Sequence, residues 1–238
     1  MSVAELVVAS LVMAVGATLQ GAVGFGGSLV AAPLFVLIDP SLVPGPTLVA
    51  AFALNLLMVG RDRSAGQVSE VGWALLGRLP GTAIGAAAVA LIPQRRLQLF
   101  FAVMILVVVG LSVSRLRLRP TVPSLLGAGA ASGFTATSVA VGGPPIALVY
   151  QHASGPVLRA TLARFFAIGV LLSMVALAVA GQFDRDDALA GLALVPATVA
   201  GFAVSGRLTR FLDRGLTRLA VLSVSGASAV AVLLRAAL

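Results

Sequence analysis

Long apolar runs separated by short polar connectors make up most of the chain. Ten can be marked, at 3–22, 24–38, 46–60, 71–92 and 97–114, then 121–138, 140–151, 161–181, 188–206 and 216–237. A helix crossing a hydrocarbon core about 30 Å thick needs about 20 residues. The pattern therefore predicts an all-α polytopic membrane protein of about ten transmembrane segments. The runs 24–38, 46–60 and 140–151 are shorter and carry Gly or Pro, which predicts broken helices. The alternative is eight crossings with 24–38 and 140–151 as re-entrant loops. The first run carries Glu5 and no Arg, unlike a signal peptide with its basic leader, and is expected to remain as a helix.

The two halves share landmarks. Gly21, Pro33 and Pro44 pair with Gly133, Pro145 and Pro156 at an offset of 112 residues. Glu70, Pro80, Thr82 and Gly85 pair with Asp186, Pro196, Thr198 and Gly201 at an offset of 116. A four-residue insertion reconciles the two blocks. The chain then divides into a first membrane repeat, 1–115, and a second, 116–238, within one integral membrane domain. Duplication of this kind is the mark of a transporter scaffold, with its site at the repeat interface.

Composition narrows the class. Of 238 residues, 59% are hydrophobic and 10% charged, whereas about a quarter are charged in soluble domains, and the mean hydropathy is +1.09. A large extramembrane enzyme or nucleic-acid-binding module is not expected. The net charge of +8 comes from 16 basic residues, all Arg and mostly in connectors, which reads as an orientation signal. With ten crossings, Arg61, Arg63, Arg78, Arg115, Arg117, Arg119, Arg159, Arg164, Arg207, Arg210, Arg214 and Arg218 lie toward one side, and Arg95, Arg96, Arg185 and Arg235 toward the other. With two re-entrant loops the same residues divide equally. The positive-inside rule thus favours ten crossings, two five-segment inverted repeats and both termini outside. No Arg precedes Arg61, so the count tests 140–151 directly and 24–38 only through the repeat. The expected location is a bacterial inner membrane, with Arg117 and Arg210 cytoplasmic and Asp184 to Asp187 outside.

Candidate chemistry concentrates in Gly16–Pro33 and Gly127–Gln151. Gly24, Gly26, Gly27 and Ser28, followed by Pro33, and Gly142-Gly143-Pro144-Pro145 open the helix and expose polar backbone, tolerable in lipid only around a protein-enclosed cavity. Half-helix N-termini there attract anions. The two stretches are expected to face each other near the midplane, joined by hydroxyls of Ser28, Thr135, Thr137 and Ser138, by the amides of Gln20 and Asn55, by Tyr150, and by Arg164 as the helping cation. The competing roles are plain packing, as for Gly77, Gly81 and Gly85 at four-residue spacing, interhelical bonding for the amides, and interface positions for Trp73, Tyr150, His152 and Arg164.

Other constellations fail. Gly24-x-Gly26 continues to Leu29 where a dinucleotide fingerprint needs Gly, and a phosphate loop needs a Lys, absent here. One His and no Cys assemble neither a metal site nor a nucleophilic triad, so no cofactor is expected. The eight acidic residues all fall at run ends or in connectors. That removes the general base of a membrane enzyme and the buried carboxylate of a proton relay.

Gly21-x-x-Gly24-x-Gly26-Gly27 followed by Pro33, and Gly133 leading to Gly142-Gly143-Pro144-Pro145, resemble the paired signatures of TauE/SafE-type permeases. The resemblance spans nearly the whole chain, including Pro80-x-Thr82-x-x-Gly85 and its echo at Pro196. It implies a secondary carrier, in the export direction, of a small sulfur-containing anion such as sulfite or an organosulfonate. Ser28 stands where a third consecutive Gly is common, and Thr135, Thr137 and Ser138 replace a more Gly-rich approach to the second motif, adding hydroxyl donors. The rivals are a channel-like conductor of small anions and a non-transporting membrane partner. Expected partners are the anion and the lipid bilayer, with homodimerisation open and no nucleic acid.

Overall fold

A computed structural model describes residues 2–62, 68–113 and 118–212, and every regular element among them is helical. The helices are α1 (Val3–Val23), α2 (Gly27–Ile38), α3 (Gly45–Arg61), α4 (Val68–Leu91), α5 (Gln94–Val113), α6 (Val122–Val139), α7 (Gly143–Val149), α8 (Gly155–Val179) and α9 (Arg185–Leu212), with a 3₁₀ turn at Pro40–Leu42. They fall on the first nine predicted runs. The tenth run, together with Arg63, Arg115, Arg117, Arg214, Arg218 and Arg235, lies outside the described residues. Among the described residues four helices are long and apolar enough to cross a membrane, Val3–Val23, Val71–Leu91, Gly155–Val179 and Arg185–Arg207, and shorter apolar helices accompany them. Glu5 has a local reason for its place at the head of an apolar run. It closes a capping box with Ser2, satisfying donors of the first turn.

Small residues set the helix contacts. A Cβ at Gly77, Gly81 or Gly85 of α4 would strike the backbone of Leu126, Ala130 or Phe134 on α6, and Gly129 and Gly133 return the close approach against Ala74 and Arg78. The contacts advance together, so α4 and α6 run parallel. In the same way α1 runs parallel to α9, with Gly201 against Ala14, Gly21 against Ser205, and Thr18 donating to the Gly201 carbonyl at 2.9 Å. Gly45 lies against Asp187 at one end of α3 and Arg61 bonds Ser205 at the other, so α3 is parallel to α9 too.

Val71 and Ala74 share a cluster with Leu162 and Phe165, while Ala86 and Val89 share one with Leu177, which makes α4 and α8 parallel. Leu48 and Phe52, by contrast, cluster with Val170 and Leu177, and Leu54 and Met58 with Ala163, so α3 and α8 are antiparallel. Helices α1, α3 and α9 thus run one way, and α4, α6 and α8 the other.

Between α1 and α3, and again between α6 and α8, the chain returns through the bundle without a long helix. Helix α1 stops at Gly24, whose φ of 105° suits glycine, and after Gly26 at φ 100° the chain re-enters as α2. A Cβ at Gly27 would stand 2.9 Å from Gln20 Oε1, so α2 starts hard against α1. Helix α6 stops at Ala140 with φ 58°, and Ser132 donates to the Gly142 carbonyl at 2.6 Å. Helix α7 follows with seven residues, about 10 Å of rise. It carries the chain back to Tyr150, which clusters with Leu125 and Ala128 near the start of α6. The return over 140–154 is therefore a left-handed residue, two residues outside any helix, a stub of helix and a turn. Helix α5 covers both breaks, its Phe101, Ala102 and Ile105 clustering with Leu29, Phe35, Val139 and Val141.

One correction concerns the internal match. The left-handed caps Gly24 and Ala140, the N-caps Gly26 and Gly142, and the helix starts Gly27 and Gly143 are all 116 residues apart. That is the offset of Pro80 and Pro196, so no insertion is needed. The offset of 112 slips the first block by about one helical turn, an error that frequent Gly and Pro invite.

Candidate functional site

The two breaks abut. A Cβ on Gly143 would stand 3.2 Å from Phe25 Cβ and 3.7 Å from the Gly26 nitrogen. Beside this junction lies a cavity of about 30 Å³, room for about two water molecules. Its apolar wall includes Phe25, Leu29, Leu48, Ala51, Phe166 and Val170, and its polar groups come from Gln20, Ser28, Asn55 and Arg78. Gly26, the N-cap of α2, lines the cavity and brings no side-chain cap to the first turn of that helix. The prolines of α7 remove two donors from its first turn. The two half-helices therefore meet the cavity unequally.

Arg78 dominates the electrostatics, and sequence reasoning missed it as a site residue. The charge pattern places it among the Arg toward one face, yet it sits mid-way along α4 and is fully buried. Its Nη1 donates to Ser132 Oγ at 3.2 Å and its Nη2 to Ser173 Oγ at 3.3 Å, both long. Its Cζ lies 5.0 Å from the Phe165 ring centroid, and Nε has no hydrogen-bond partner among the described residues. No carboxylate among the described residues pairs with it. On its own helix the nearest acid is Glu70, eight residues away, about 12 Å along the axis. A charged side chain inside a membrane-spanning helix costs up to about 2.5–3.5 kcal/mol on insertion scales, so an Arg buried within the apolar span 71–91, with no carboxylate partner among the described residues, marks a candidate anion site. The signal in the sequence was its place, well inside the run 71–92 rather than at an end.

Of the predicted residues, Gln20, Gly26, Ser28, Asn55, Gly142, Gly143 and Pro144 line the cavity. Gln20 Nε2 donates to Asn55 Oδ1 at 3.1 Å and Asn55 Nδ2 to the Ala51 carbonyl at 2.7 Å, so the amides also tie α1 to α3. The remaining residues stand elsewhere. Gly24 caps α1 against Arg159, Gly27 packs on Gly16 and Gln20, and Pro33 is buried within α2. Thr135 and Ser138 donate back to the Ala131 and Phe134 carbonyls. Thr137 bonds Ser173 at 2.8 Å, one step behind Arg78. Pro145 and Tyr150 are buried at α7. Arg164, half-buried on α8, does not reach the cavity lining.

A family model described as Sulfite exporter TauE/SafE matches residues 8–232 of the chain. No curated protein and no solved structure matches it.

Proposed function

Because the chain belongs to the TauE/SafE family of sulfite exporters, and so is a membrane protein of a transporter family, we propose that it carries a small sulfur-containing anion, sulfite or an organosulfonate, through the cavity at the junction of the two breaks. The observation that carries this reading is Arg78, a buried guanidinium with no carboxylate partner among the described residues, whose counter-ion the substrate supplies. Hydrogen bonds from a charged group are worth about 1.5–3 kcal/mol each. Ser28, the amides of Gln20 and Asn55 and the first turn of α2 replace the rest of the anion's hydration shell.

The scaffold proposed is a pair of inverted repeats, 1–115 and 116–238, with ten crossings and both termini outside a bacterial inner membrane. The opposed directions of α1 and α6, of α3 and α8, and of α4 and α9, each pair related by the 116-residue offset, support it. So does the parallel course of α6 and α8, which a re-entrant loop returning to its own side would make antiparallel. Removing Arg78 from the count of face-marking Arg leaves the positive-inside bias in the same direction.

Sulfite flux in liposomes bearing the purified protein tests the reading. Arg78→Gln should raise the KM about ten- to hundredfold, equivalent to about 1.4–2.7 kcal/mol, with the variant inserted and monodisperse. Wild-type KM in such a variant overturns it. Saturable flux separates a carrier from a channel-like conductor, and absence of flux would favour a non-transporting partner.

A further inference from the structure

We infer that the cavity accepts the singly charged form of its oxyanion and rejects the doubly charged one. The inference rests on the transport reading above and narrows its substrate to hydrogensulfite rather than the sulfite dianion.

The reason is a charge inventory of the site. Among the described residues lining the cavity, Arg78 is the one formally charged group, and the remaining polar groups there are neutral. The elements packed around Arg78 bring Ser132, Phe165, Gly169 and Ser173 to it, with Thr82 one turn along its own helix, and none of these carries charge at neutral pH. Two cations at the end of α1 are otherwise engaged. Arg61 Nη2 donates to the Gly21 carbonyl at 2.5 Å, Nη1 to Ser205 Oγ at 3.0 Å, and the group pairs with Asp62 at 3.1 Å while lying over Phe202. Arg159 reaches the Ala22 carbonyl at 3.5 Å. Both complement the carbonyl end of α1, where a helix is partly negative.

A monoanion beside Arg78 makes the site neutral. A dianion leaves one charge uncompensated within apolar walls, and its desolvation cost scales as charge squared, about four times that of a monoanion. Neutral donors are also few, since Gln20 Nε2 and Asn55 Nδ2 each already give one N–H, to Asn55 Oδ1 and to the Ala51 carbonyl, and keep only the other for an anion.

Two pyramidal anions of matched shape, sulfite and chlorate, give the test, because chlorate keeps a single charge across the neutral range while hydrogensulfite loses its proton near neutrality. In wild-type liposomes under mildly acidic conditions, chlorate should inhibit sulfite flux within about threefold of the sulfite KM, and sulfate should need about a hundredfold more. On moving to alkaline conditions, the KM for total sulfite should rise about tenfold per pH unit while chlorate inhibition stays constant. That constancy shows that the substrate and not the protein is titrating. Sulfate competing as well as chlorate, or a total-sulfite KM that does not move across neutrality, overturns the inference while leaving anion transport intact. Wild-type liposomes that move no sulfite, or Arg78→Gln with wild-type KM, overturn the transport reading and this inference with it.

Discussion

Arg78 fits between α4 and α8 because Gly169 has no side chain. A Cβ at position 169 would stand 2.7 Å from Arg78 Cδ and closer still to Nε and Cζ. Gly169→Ala should therefore push the guanidinium off its Ser132 and Ser173 partners and raise the sulfite KM roughly tenfold. Gly110→Ala, where nothing lies within 4 Å, should leave it unchanged. Equal KM values in the two variants would show that the notch does not position Arg78. Neither Gly169 nor Arg78 was legible as a pair. Helix faces turned toward lipid and toward protein are both apolar, so amphipathic periodicity, the usual guide to what points inward, is erased. Leu171 is exposed and Phe165 buried on the same helix α8, and nothing in their side-chain chemistry tells them apart.

At the scale of elements, the two helix breaks are related but not alike. The first has Gly at its left-handed position, Gly24, and the second has Ala140 at φ 58°, a conformation that costs a non-Gly residue about 1 kcal/mol. Ala140→Gly should recover about that amount, raising the thermal midpoint in detergent by a few degrees with the fold retained. A lowered midpoint would mean that the methyl packing at 140 outweighs the backbone term. The breaks themselves were legible, since Gly clusters and paired Pro cannot continue a helix and must lie where polar backbone is tolerated. Their register was not, because matching Gly to Gly and Pro to Pro ignores which residue caps and which packs. Gly21 packs on Ser205, while Gly133 packs on Arg78 and Thr82, so the two glycines do different work at different heights.

For the whole molecule, ten crossings require the segments starting at α6 and α9 to begin on opposite faces. The chain has no Cys, so single cysteines at Pro120 and Asp186 report without background. In intact cells an impermeant thiol reagent should label the residue at 186 and spare the one at 120. Labelling of both, or the reverse pattern, overturns the orientation. Energy coupling belongs to the same scale. No carboxylate lines the cavity among the described residues, and an inside-negative potential favours anion exit by about 2.3 kcal/mol per charge per 100 mV. Flux should thus follow an imposed potential. With the potential clamped, a pH gradient should leave the exit of chlorate unchanged, and strict dependence on that gradient would contradict a carrier without proton coupling.

The membrane class, the helical runs and the places where helices break were legible in the sequence. Each of these follows from local composition, from how many apolar residues stand in a row and where Gly and Pro interrupt them. Tertiary structure alone decided which polar groups meet. Arg78 rather than Arg164 comes to the cavity, Thr137 turns to Ser173, and Ser28 faces the junction. These outcomes depend on how helices distant in sequence are rotated against one another. Backbone contacts at Gly77, Gly81 and Gly129, and the Arg78 side chain against Gly169, set that rotation, and in lipid it leaves no trace in the pattern of apolar and polar positions.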